Sequence, residues 1–225
     1  MHSEFTKRIF TSIILLLSIF FILINLNDDY FKYFLIFAGI FCFGEWVLTN
    51  IVFLKKNDSS FKSYFILLFG FIYFLLIFPS SAFYLRFEIG LHFFILILLI
   101  CIFSDVGGYV FGKTIGGKKL TKISPNKTIS GSIGSFIFSI FPIIFIYLFN
   151  FETSLLKLNF TNILFSLFVS LICQLGDLFF SYFKRLNNKK NYSNLFPGHG
   201  GLLDRIDGLI IVIPVIYLIK IFEII

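Results

Sequence analysis

Apolar runs of roughly twenty residues recur along the chain, at about 31–54, 64–85, 89–111, 132–151, 160–181 and 206–224, behind an opening run from Ile9 to Leu26. A run of that length crosses a hydrocarbon core as a helix, because only a helix satisfies every backbone N–H and C=O within one segment. The pattern predicts an all-α, polytopic integral membrane helix bundle of about seven transmembrane helices. The opening MHSEFTKR and its apolar run share the outline of a signal peptide. The run is long, however, and ends in Asn25-Leu26-Asn27-Asp28-Asp29 with no small-residue cleavage site, so it is expected to remain as the first span. Two runs carry interruptions: Glu45 in the second and Pro79-Ser80-Ser81 in the third. Long, glycine-rich polar segments occur only at 112–131 and 182–205. They separate an N-terminal region of spans, 1–100, from a C-terminal region, 101–225, that holds both loops.

Loop charge orients the spans. With the N-terminus and every second loop in the cytoplasm, the inside holds Lys7, Arg8, Lys55, Lys56, Lys62, Lys113, Lys118, Lys119, Lys122, Lys127, Lys184, Arg185, Lys189, Lys190 and Arg205. Only Lys32, Arg86, Lys157 and Lys220 fall outside. That bias predicts a cytoplasmic N-terminus and two cytoplasmic loops. It also explains the net charge of +7 without nucleic acid, for which no basic stripe with interleaved aromatics stands free of the apolar runs. With 58% hydrophobic and 14% charged residues, no soluble domain of useful size remains. Cys42, Cys101 and Cys173 sit singly inside apolar runs and read as small buried hydrophobes. Glu45 beside Trp46 reads as an interfacial anchor pair.

Polar chemistry concentrates between Gln174 and Gly208, QLGDLFFSYFKRLNNKKNYSNLFPGHGGLLDRIDG. Charge beside hydrocarbon is costly unless paired or metal-bound, which marks the stretch as a functional site. Asp177, Ser181 and Lys184 share one face of a helix by their i, i+4, i+7 spacing. Pro197-Gly198-His199-Gly200-Gly201 is a turn whose backbone can approach a ligand closely. It leads into Asp204, Arg205 and Asp207 at the head of the last span. A helix starting there would turn its open N–H groups and positive dipole end toward phosphate. Asp204 and Asp207, with Asp177 from the preceding helix, offer the hard oxygen ligands that Mg²⁺ takes beside substrate phosphates. Zinc is disfavoured, since it would want more than one histidine or cysteine and His199 is the one available within the stretch.

The other loop contributes Ser104-Asp105-Val106-Gly107-Gly108-Tyr109, Gly112-Lys113 and Ser124-Pro125-Asn126-Lys127-Thr128-Ile129-Ser130-Gly131. Lysine, hydroxyl and glycine together fit a phosphate cradle, although no P-loop motif is present.

These residues resemble the phosphatidate cytidylyltransferases, also called CDP-diacylglycerol synthases. The family's S-x-x-K-R, K-D and H-G-G-x-x-D-R-x-D pattern is met in register by Ser181, Lys184, Arg185, Lys190, His199, Gly200, Gly201, Asp204, Arg205 and Asp207, after Gly176-Asp177-Leu178. Upstream, Asp105 and Tyr109 and the S-P-x-K-T loop of Ser124, Lys127 and Thr128 are similar too. The resemblance covers about residues 100–210. It departs at Asn191, where an acidic residue is usual, and at Ser130, where a glutamate is usual.

The resemblance implies a catalytic region at 101–225 and transfer of a cytidylyl group from CTP to phosphatidate, giving CDP-diacylglycerol and pyrophosphate. Asp177, Asp204 and Asp207 would hold Mg²⁺, with a second cation, monovalent or divalent, left open. Lys184, Arg185, Arg205 and Lys127 would screen phosphate charge. Asp105, Tyr109, Ser124, Thr128, Ser181, Lys190, His199, Gly200 and Gly201 would contact substrate. A homodimer in a bacterial inner membrane, facing membrane lipids and opening its site to the cytoplasm, completes the expectation. The alternatives are a polyprenol kinase or a CDP-archaeol synthase and, further off, a transporter. The last would call for charges along several mid-span faces or an inverted repeat, and neither is seen. CDP-alcohol phosphotransferases are disfavoured by the missing D-G-x-x-A-R pattern, since Asp207-Gly208 is followed by apolar residues.

Overall fold

The computed structural model describes residues 21–56, 60–121, 123–149, 157–193, 195 and 200–222. The helical expectation holds. In chain order the elements are α1 (Asp28–Lys56), α2 (Ser60–Ile72), α3 (Phe78–Tyr84), α4 (Leu91–Thr114), α5 (Ile129–Ser139), α6 (Phe141–Leu148), α7 (Phe160–Leu186) and α8 (Leu203–Ile221), with no strand among the described residues. Five stretches are long and apolar enough to cross a bilayer: Asp28–Asn50, Tyr64–Ile89, Leu91–Thr114, Ile129–Leu148 and Phe160–Leu186. They coincide with five of the expected runs, and the protein is a polytopic helical membrane protein. Of the other two expected spans, the first begins outside the described residues. The last is α8, whose opening turn and a half carries Asp204, Arg205 and Asp207 and is less apolar for it.

Pro79-Ser80-Ser81 does not break the second of these stretches. A proline has no N–H for the preceding turn, and its ring crowds that turn's carbonyl. The helix accommodates it with a wider π-helical segment at Tyr73–Ile77 before α3 and a second at Leu85–Ile89 after it. The Ser81 hydroxyl points back at the carbonyls of Ile77 and Phe78, 2.6 and 3.1 Å away.

The chain divides into two units: Met1–Phe87 with Phe183–Ile206, and Glu88–Tyr182 with Asp207–Ile225. In the first, Trp46 and Phe74 are fully buried, and the Trp46 ring centroid lies 5.7 Å from that of Phe74 and 4.7 Å from that of Phe183. The indole N–H donates to the Ile66 carbonyl at 3.1 Å. A Cβ on Gly70 would sit 2.4 Å from the indole, so that glycine makes room for the tryptophan. The expected interfacial pair Glu45-Trp46 is thus wrong on both counts, since both side chains are buried. Arg86 is buried as well, stacked over Phe31 at 4.1 Å and donating to the Leu23 and Leu26 carbonyls. There it satisfies carbonyls that a helix end leaves open.

The second unit is built on close helix contacts. A Cβ on Gly107 of α4 would lie 2.4 Å from the Gly134 carbonyl oxygen of α5, and one on Gly131 would lie 2.8 Å from the Gly108 carbonyl oxygen. Small residues let helix backbones meet, and in lipid such packing is a main source of helix association. A hydrogen-bonded seam adds to it. Ser132 donates to Gln174 Oε1 at 2.5 Å, Gln174 Nε2 donates to Ser170 at 3.3 Å, and the Ser170 and Ser104 hydroxyls lie 2.8 Å apart. Residues 104–111 close the span expected over 89–111, although the sequence also groups Ser104–Tyr109 with the loop that follows. They are helical, and Gly107 and Gly108 serve packing. The true loops are shorter than expected: α4 ends at Thr114 and α5 starts at Ile129, while α7 ends at Leu186 and α8 starts at Leu203.

Candidate active site

In the first unit the site residues gather around the 187–202 loop and the head of α8. Lys184, in the last turn of α7, donates to Asp204 Oδ1 at 2.8 Å, and both side chains are less than a tenth exposed. The ammonium also lies 5.3 Å above the Tyr192 ring. The other Asp204 oxygen accepts the backbone N–H groups of Tyr192 at 2.8 Å and Gly201 at 2.9 Å. One carboxylate therefore serves three donors and closes the loop on itself. Gly200 has a φ of +83°, and a Cβ there would fall 2.7 Å from Asp204 Oδ2, which explains the first glycine of the pair.

The next two amides belong to Glu45. This residue of α1 accepts from Leu202 N–H at 3.0 Å and Leu203 N–H at 2.8 Å, and from the Ser193 hydroxyl at 2.6 Å. The expectation that α8 turns open N–H groups toward phosphate is corrected by these contacts. The helix begins where the sequence places it, but the amides of Gly201, Leu202 and Leu203 are occupied by carboxylates of the same chain. More of α1 binds the same loop: Leu48 C=O accepts from Lys189 Nζ, Thr49 Oγ1 donates to Tyr192 C=O, and Asn50 Oδ1 accepts from Asn187 Nδ2, at 3.0, 3.1 and 3.0 Å. Sequence reasoning missed this stripe. Its signal was an acid inside an apolar span with Thr49 one helical turn on.

In the second unit, Asp177 of α7 pairs with Lys127 at 2.5 Å, and each side chain keeps about a quarter of its exposure. Ser181 donates to the other Asp177 oxygen at 3.2 Å, as the i, i+4 spacing predicts. Lys127 reaches Asp177 from a loop tied by Leu120 N–H to Lys127 C=O, Ile129 N–H to Lys118 C=O, and Lys127 N–H to Ser124 C=O. Thr128 caps α5 by accepting from Gly131 N–H at 3.1 Å, and it hydrogen-bonds to Ser130 at 3.0 Å. Ser130 in turn donates to the Gly116 carbonyl. Asp207 Oδ1 accepts the Gly208 N–H at 2.9 Å. The backbones of α7 and α8 cross closely beside Asp177 and Asp207. A Cβ on Gly208 would meet Cys173 Sγ at 2.4 Å, and one on Gly176 would meet the Asp207 carbonyl oxygen at 3.1 Å. Asp105 lies on α4, with the Cys173 thiol 4.0 Å from its Oδ1.

The remaining predicted residues are more open. Tyr109 is exposed, with Lys113 Nζ 3.4 Å from its hydroxyl. Arg185, Lys190 and Arg205 are exposed, and Arg185 donates to the Lys189 carbonyl at 3.0 Å. His199 lies outside the described residues. Among the described residues, no three His, Cys, Asp or Glu side chains cluster as a ready-made metal cage. The donors at hand are carboxylate oxygens, which is the chemistry of a hard cation that shares its shell with water and substrate.

Each unit thus carries one carboxylate–lysine pair, Lys184–Asp204 in the first and Lys127–Asp177 in the second. Comparison with known proteins points to a family. Residues 3–222 match the model of the cytidylyltransferase family. The phosphatidate cytidylyltransferase of Staphylococcus haemolyticus is 36% identical over 179 residues, covering 79% of this chain and 66% of that protein. Its namesake in Staphylococcus aureus strain COL is 41% identical over 134 residues, 59% of this chain and 50% of that protein. That of Bacillus subtilis is 32% identical over 193 residues, 78% and 65% of the two chains. The chain thus spans about half to two thirds of the length of the curated relatives it matches. A match running through both units and both loops makes this chain a member of the cytidylyltransferase family.

Proposed function

We propose that the chain catalyses nucleotidyl transfer from CTP to phosphatidate, giving CDP-diacylglycerol and pyrophosphate for phospholipid synthesis. The observation that carries this reading is the family match over residues 3–222, together with relatives named for that activity. A phosphatidate phosphate oxygen attacks the α-phosphorus of CTP. The bond from that phosphorus to the bridging oxygen breaks, and pyrophosphate leaves with the electron pair. The nucleophile is already anionic near neutral pH, so the protein has to align two polyanions and neutralise charge on the leaving group rather than supply a strong base.

Lys127, Lys184, Arg185 and Arg205 are the cations proposed for that task. Ser124, Thr128, Ser181, Lys190, His199, Gly200, Gly201, Asp105 and Tyr109 are the proposed substrate contacts. Asp177, Asp204 and Asp207 are the proposed carboxylates that would hold Mg²⁺, which would supply Lewis-acid chemistry to the substrate phosphates. Asp204 already accepts from three donors, so Asp177 and Asp207 carry the larger share of that role. A second cation and a homodimer complete the proposal. So does an inner-membrane setting with a cytoplasmic N-terminus and a site open to the cytoplasm, where a dissolved nucleotide meets a lipid.

Proteoliposomes holding the purified protein and phosphatidate, supplied with CTP labelled at either end, test the reading. Label from the α-phosphate is expected in the lipid fraction. Label arriving there from the γ-phosphate would instead mark a lipid kinase, such as one acting on a polyprenol. α-Label that enters archaeal-type ether lipid but not phosphatidate would mark a CDP-archaeol synthase.

A further inference from the structure

Glu45 sits mid-way along α1, 3% exposed, in a span otherwise rich in phenylalanine and isoleucine. A carboxylate there is costly unless its lone pairs are filled. Among the described residues no cation pairs with it. The donors that fill it all come from one short segment: Ser193 Oγ, Leu202 N–H and Leu203 N–H. Hydrogen bonds from backbone amides to a buried carboxylate are charge-assisted and stronger than neutral ones. They also fix the direction of the amides, hence the path of the chain into Asp204 and Arg205. Glu45 takes two amides and Asp204 takes the one before them, so three consecutive N–H groups are divided between two acids. Gly201 records the closeness of the clasp, since a Cβ there would lie 2.4 Å from Glu45 Oε1 and 2.6 Å from Oε2.

We propose that Glu45 is a positioning residue for the transfer reaction: it holds the Gly201–Leu203 backbone, and thereby Asp204 and Arg205, in the geometry that the chemistry requires. The inference rests on the nucleotidyl-transfer reading of the site. Thr49 and Asn50, further along the same helix, fix the Tyr192 and Asn187 end of the loop. An N-terminal span is in this way part of the active-site scaffold. The second glycine of the H-G-G motif exists because a glutamate from elsewhere in the chain lies against it.

The test is Glu45→Gln in purified full-length protein, with kcat and KM for CTP measured on the monodisperse fraction and hydrogen exchange followed at residues 200–204. Glutamine keeps the size but turns an N–H₂ toward N–H donors. The expected result is a kcat at least about tenfold lower with KM for CTP little changed, and faster exchange at Leu202 and Leu203. A merely structural role would lower the yield of folded protein and leave kcat per folded molecule where it was, and that result would overturn the proposal. If Glu45→Gln does not fold, Ser193→Ala removes one donor and leaves the carboxylate in place. A two- to fivefold fall in kcat is then expected, and an unchanged kcat overturns the proposal. If wild-type protein transfers no cytidylyl group, the activity reading fails by itself. The exchange comparison still decides whether Glu45 holds the loop.

Discussion

The two lysine–aspartate pairs are built of the same residue types, yet they differ in burial and in what else they hold. Lys184–Asp204 is buried, its aspartate also binds two backbone amides, and the loop it closes is held from the other side by Glu45. Lys127–Asp177 keeps about a quarter of its exposure, and the loop that carries Lys127 is tied mainly by its own backbone. A buried pair stripped of one partner leaves an unpaired charge, whereas a partly exposed pair leaves one that water reaches. The first pair is therefore built into the fold, and the second is the pair we propose to meet ligands.

That contrast can be broken by substitution. The largest loss of stability is expected from Asp204→Asn, which weakens the ion pair and puts an amide where two N–H donors point. Unfolding in detergent followed by tryptophan fluorescence should show a loss of about 3–5 kcal/mol. A smaller loss, about 1–3 kcal/mol, is expected from Gly107→Ala, because the added methyl meets the Gly134 carbonyl with no room to move. Lys127→Met should cost about 1 kcal/mol or less in the same measurement. Its effect should appear instead in KM for CTP, raised about tenfold by the loss of one charge-assisted contact. If Lys127→Met proved as destabilising as Asp204→Asn, the distinction between the pairs would collapse.

What the sequence made legible follows from how each signal is written. Helical spans are written in runs of apolar residues, and the lipid leaves no other structure open to them, so the all-α reading held even across Pro79. The i, i+4 relation of Asp177 and Ser181 is local and was readable too. Gly107 and Gly108 were misread because a glycine that opens a loop and one that lets helices touch are the same letter. Glu45 was missed for a different reason. A lone acid next to tryptophan in an apolar run fits an interfacial anchor as well as a buried clasp, and only its partners, 148–158 residues away, separate the two. The pairing of Lys184 with Asp204 was equally hidden, since sequence reasoning gave each a separate ligand.

Purified Asp177→Asn tests most directly the proposal that the less buried pair supplies a carboxylate to the reaction. Assayed for CDP-diacylglycerol formation at saturating Mg²⁺, it should lose about 100-fold or more in kcat while its unfolding transition stays near that of the wild type. Product formation at the wild-type rate would contradict the account.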